Sequence, residues 1–93
     1  MEADIEAVVM ADSLLTMDPI INNRNVVLYI KPGKVRVDSM ALAFKVTRGA
    51  HISPGESEVQ DFRAPVVYTV SAADGKFQKR YVVSMVESSL RSV

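Results

Sequence analysis

This sequence predicts an all-β chain: an antiparallel β-sandwich of about seven strands, two sheets packed face to face. Three observations carry the expectation. Apolar residues recur at every second position in Val26-x-Leu28-x-Ile30, Met40-x-Leu42-x-Phe44-x-Val46 and Val66-x-Tyr68-x-Val70, the period of a half-buried strand. Pro and Gly stand between those runs at Pro32-Gly33, Gly49, Pro54-Gly55 and Gly75, where turns belong. A single sheet would leave one face of so many apolar side chains in water, whereas two stacked sheets cover both.

The strands are taken in chain order. Ile5 to Met10 carries alternating Ile5, Ala7 and Val9, and its two adjacent valines favour a strand over a helix. Asp12 to Asn25 reads as a long connection with turns at Asp18-Pro19 and Asn22–Asn25, and Ile20-Ile21 within it suits a short edge strand. Val26 to Ile30 is a strand with Val26, Leu28 and Ile30 on one face and Val27 and Tyr29 on the other. Lys31-Pro32-Gly33-Lys34 ends it, because Pro cannot donate to a ladder. Met40 to Val46 is the next strand. Gly49 breaks it, and Ala50 and Ile52 continue the inward face up to Pro54-Gly55.

Glu56 to Ala64 is polar, with Val59 and Phe62 as expected anchors. Val66 to Ser71 and Phe77 to Val86 then form a hairpin around Ala73-Asp74-Gly75-Lys76, in which Gly75 takes the positive-φ position. Tyr68, Tyr81, Val83 and Met85 are expected to face the core. Residues 88–93 read as a tail or linker toward a following domain. With this strand count the sandwich is expected to be immunoglobulin-like, a small barrel being the alternative. Neither a disulfide nor a Trp is available to hold the sheets, since the chain has Cys 0 and Trp 0.

Composition excludes more than it assigns. The 93 residues suit one domain, and Lys+Arg 11 against Asp+Glu 11 point to neither nucleic acid nor a membrane surface. Basic residues do gather between Arg24 and Arg48, but a sandwich scatters such residues over opposite faces. Without cysteine there is no thiol nucleophile and no thiolate metal site. No secretory leader and no apolar run long enough to span a membrane is visible.

No group of residues signals catalysis, a cofactor or a metal. His51, the one histidine, is expected on the outer face of a strand end without a catalytic partner. Glu56, Glu58 and Asp61 form the tightest acidic group, but their spacing matches no calcium loop. Tyr29 is the aromatic whose neighbours Leu28 and Ile30 point the other way. It is expected either beneath the 12–25 connection or open to stack on a sugar ring or a partner, and it is the sole ligand-binding candidate.

A family resemblance joins these pieces. Gly49-Ala50-His51-Ile52-Ser53-Pro54-Gly55, Asp61-Phe62-x-x-Pro65, Tyr68-Thr69-Val70-Ser71-Ala72-x-Asp74-Gly75 and Tyr81-Val82-Val83-Ser84 together resemble the N-terminal immunoglobulin-like module of Bacteroidetes cell-surface lipoproteins that carry a domain named for carbohydrate metabolism. Ala3-Asp4-Ile5 and Val26-x-Leu28-x-Ile30 fit its first strands, so the resemblance spans residues 3–87. His51 stands where that pattern more often has Thr, and the shared residues read as scaffold. The resemblance implies an exported, surface-attached parent whose lipid anchor and second domain lie outside this chain. The expected role is a non-catalytic spacer or interaction module, with direct glycan binding through loops or an exposed sheet face as the alternative.

Overall fold

The computed structural model describes residues 3–87; the expected tail at 88–93 lies outside the described residues. The strands are β1 (Ile5–Val9), β2 (Ile20–Asn22), β3 (Asn25–Ile30), β4 (Ala43–Val46), β5 (His51–Ser53), β6 (Val66–Ser71) and β7 (Gln78–Glu87), with one turn of 3₁₀ helix at Asp12–Leu14. The all-β sandwich of about seven strands stands as expected. A two-stranded sheet pairs β1 with β4, and a five-stranded sheet runs β2-β3-β7-β6-β5.

Pairing is antiparallel throughout except between β3 and β7, which run parallel from Asn25↔Val82 to Ile30↔Glu87. Alternation of side chains marks a strand and its faces but says nothing of its partner's direction, so this pair departs from the antiparallel pattern expected throughout. The β6–β7 hairpin matches its local chemistry. Gly75 sits at φ 73, its N–H donates to the Ala72 carbonyl at 2.8 Å, and the Asp74 carboxylate accepts from the Lys76 N–H at 2.9 Å.

The inner faces are those the alternation assigns. Val26, Leu28 and Ile30 of β3, Tyr68 and Val70 of β6, and Tyr81 and Val83 of β7 are buried together with Ile5, Leu15, Leu42 and Phe62. Tyr68 is the hub between layers. Phe44 of β4 meets its ring edge-on with centroids 5.0 Å apart, and Phe62 stacks on it at 6.3 Å. Each such pair adds about 0.5–1.5 kcal/mol beyond the area it buries.

Two expectations need correction. Val59 is not an anchor: it is 59% exposed. Gln60 pairs with Met40 through two backbone hydrogen bonds of 3.0 and 2.9 Å, and the Phe62 N–H donates to the Val37 carbonyl, so the loop turns Phe62 inward and Val59 away. The Met40–Val46 strand is also shorter than its alternation suggests. Met40 makes only an isolated bridge to Gln60, and regular pairing begins at Ala43.

The topology places the two ends of the described chain at opposite poles. Ile5 pairs with Val46 and Asp4 reaches Lys79 near the start of β7, which puts residues 3–5 beside the 72–77 hairpin. β7 then runs away from that pole as far as Glu87, the last described residue. At ~3.3 Å per residue, Lys79 to Glu87 spans roughly 27 Å, in a body measuring 44 × 27 × 20 Å.

Candidate functional site

Three places warrant a functional reading: the N-terminal clasp, the residues singled out for chemistry, and the outer face of the five-stranded sheet. The clasp gathers residues far apart in sequence. Lys79 Nζ donates to Asp4 Oδ1. The Tyr81 hydroxyl donates a long 3.4 Å bond to the same oxygen and accepts one of 3.3 Å from the Ile5 N–H. Thr47 completes it: its hydroxyl accepts from the Asp4 N–H at 2.9 Å, and its N–H donates to the Asp4 carbonyl at 2.9 Å.

The hydrogen bond from Lys79 holds the Asp4 carboxyl below its ordinary value, with partial desolvation opposing the shift. The same bond pushes the Lys79 ammonium up. These bonds tie β1, the end of β4 and β7 together. Sequence reasoning missed it, because Asp4 and Lys79 are 75 positions apart.

The residues singled out for chemistry do not converge. His51 lies exposed on β5, opposite Ser71 in the register. Glu58 turns back on its own loop and accepts from the Gly55 N–H at 2.5 Å. Asp61 accepts from the Arg63 backbone N–H at 2.9 Å and from its guanidinium at 2.7–3.0 Å. That pairing holds the Asp61 carboxyl low. Among the described residues no three His, Cys, Asp or Glu side chains come together as metal ligands.

Tyr29 occupies the outer face of the five-stranded sheet, half-buried. The Leu14–Thr16 segment runs alongside β3, and the Thr16 N–H donates to the Tyr29 carbonyl at 2.8 Å. The connection therefore runs beside Tyr29, joined to it through the backbone. Register supplies its neighbours. Tyr29 lies opposite Val86 and Val27 opposite Ser84, Ile20 opposite Val27, and Val67 opposite Val82. These side chains share one face, with Val86 42% exposed and Val67 51% exposed. The sequence places Tyr29 on this face, but its partners on β7 and β6 appear only once the register is known.

With this geometry in view, the chain can be set beside known proteins. A family model described as "SGBP, N-terminal", the N-terminal domain of starch- and glycan-binding surface proteins, matches residues 9–85. A crystal structure of a candidate glycoside hydrolase from Bacteroides thetaiotaomicron is similar over 96% of this chain, at 38% sequence identity and a TM-score of 0.85. This chain spans 26% of that protein. No match was found among curated proteins. The two similarities bear out the resemblance to an N-terminal module of Bacteroidetes surface carbohydrate proteins.

Proposed function

From the premise that this chain belongs to the SGBP N-terminal family, we propose that it is a non-catalytic spacer in an exported, surface-attached protein that handles carbohydrate. An N-terminal domain of that family is part of a larger polypeptide with other domains. The observation that best supports the spacer reading is the opposition of its poles. The clasp at Asp4 and Lys79 secures the incoming chain at one end, and β7 carries it to the other, as far as Glu87. A module threaded this way adds its own length between the segments on either side of it. Such a role needs a rigid scaffold and no reacting group. The lipid anchor and the glycan-handling domain belong to the parent, outside this chain, and residues 88–93 lead toward that domain.

Surface display tests this. Deleting residues 1–87 from the anchored parent is expected to reduce capture of a long polysaccharide by cells while leaving capture of a short oligosaccharide unchanged. Equal loss of both would point to direct binding by this domain. Loss of neither would remove the spacer role, and release of sugar by the domain itself would make it an enzyme.

A second reading rests on the half-open Tyr29. A pyranose ring can stack on an aromatic side chain set among apolar neighbours, and Ser84 lies beside Tyr29's row with a hydroxyl to offer. On this reading, Tyr29→Ala abolishes oligosaccharide binding by the domain.

A further inference from the structure

The outer face of the five-stranded sheet carries more apolar surface than a lone solvated sheet needs. Tyr29, Val27, Val82, Val86, Val67 and Ile20 share this face by register, with Ser84 the polar residue among them. Val86 is 42% exposed and Ile20 39% exposed. The charged residues that flank it are Arg80, opposite Thr69 toward the hairpin, and Lys31, which follows β3 at the far pole. An apolar centre inside a charged rim is the layout of a protein interface.

We propose that the part of this face centred on Tyr29 and Val86 seats the next domain of the parent polypeptide, so that the two domains move as one arm. The inference rests on the spacer reading and adds rigidity to it. Its first support is where the chain leaves. Glu87 directly succeeds Val86 and lies opposite Ile30, next to Tyr29, so the next segment is tethered at the margin of the patch. Its second is length. This chain spans 26% of a solved relative and matches an N-terminal family, which leaves ample polypeptide to form the occupant. The third is concentration. A neighbour tethered by a short flexible linker is held at an effective concentration in the ~mM range, so it competes for the face ahead of a partner that must arrive from solution.

The test uses the full-length parent carrying Val27→Ser with Val86→Ser, two residues that flank Tyr29 on this face, and separately Val67→Ser as a control on the same face but farther from Glu87. Small-angle scattering reads interdomain freedom, and calorimetry with the parent's oligosaccharide reads binding. The expected result is a larger radius of gyration and a flexible scattering profile for the double variant alone, with affinity unchanged within about twofold. Both residues lie outside the core, so the circular-dichroism melt of the double variant keeps its cooperative transition. Should that variant unfold, Val86→Ser alone gives the same reading. Unchanged scattering with unchanged affinity overturns the seat and leaves the spacer reading standing. A tenfold loss of affinity with unchanged scattering overturns both, because the face is then a sugar platform. A wild-type parent that sediments as a dimer, and a double variant that sediments as a monomer, would assign the face to a second copy and overturn the proposal.

Discussion

Lys79 donates a hydrogen bond to the carboxylate of Asp4 across 75 positions of sequence, pinning the incoming chain to the strand that carries it out. The pH dependence of this contact has a definite sign. The Lys79 hydrogen bond holds the folded Asp4 carboxyl below its ordinary value, so its contribution is present above the ordinary value and fades as pH falls through the lowered one. The same bond raises the Lys79 ammonium above its ordinary value, so its contribution is present below the ordinary value and fades as pH rises through the raised one. The melting-temperature gap between the wild type and Asp4→Asn should be steady across roughly pH 5–9 and close at both extremes. Both side chains are partly open to solvent, so the gap is modest. A gap that widens in acid would contradict this account.

Tyr68 is fully buried, and its hydroxyl has no hydrogen-bond partner among the described residues. Burial accordingly pushes its ionisation upward. Tyr68→Phe keeps both ring contacts and removes the orphaned group, so chemical denaturation should find it as stable as the wild type or up to about 1–2 kcal/mol more so. Tyr68→Ala empties the hub between the layers and should cost about 3–5 kcal/mol. A Phe variant weakened as much as the Ala variant would mean that the hydroxyl is engaged.

Gly49 and Gly75 separate two reasons for glycine. Both have positive φ, 84 and 73. A Cβ on Gly49 would lie 3.1 Å from the Cβ of Ala73, whereas one on Gly75 would meet nothing within 4 Å. Gly75→Ala should cost about 1 kcal/mol, the backbone strain alone. Gly49→Ala should cost more, because the hairpin carrying Ala73 must also give way. Thermal melts of the two variants rank them, and equal costs would show that the hairpin yields freely.

Tyr81 is buried with its hydroxyl at the clasp. Tyr81→Ala is expected to lose ~3 kcal/mol or more. Tyr81→Phe gives up only two long hydrogen bonds and should lose no more than about 1 kcal/mol. An unchanged melt for the Ala variant would refute the inward facing of β7.

How far the fold could be read from the sequence depended on the range of the interaction. Val26, Leu28 and Ile30 declare their face by alternation, and Asp74-Gly75 declares its turn, because both signals are local. The parallel pairing of β3 with β7 leaves no such trace, since it is set when distant segments dock. Val59 and Phe62 looked equivalent as apolar residues in a polar loop. Only the bonds between that loop and Met40 and Val37 decide which one turns inward. The candidate face divides the same way. Tyr29 was visible as the residue pointing opposite to Leu28 and Ile30, but Val86 and Val82 joined it only through register. Gly49 is legible as a break in a strand, while its positive φ and the close approach of Ala73 from another hairpin are both set by the fold.

Calorimetric titration of the parent protein's oligosaccharide, with and without residues 1–87, tests the spacer claim most directly. The account predicts the same Kd within about twofold for both proteins. A loss of tenfold or more on deletion, about 1.4 kcal/mol, would contradict it, because the domain would then be contacting sugar itself.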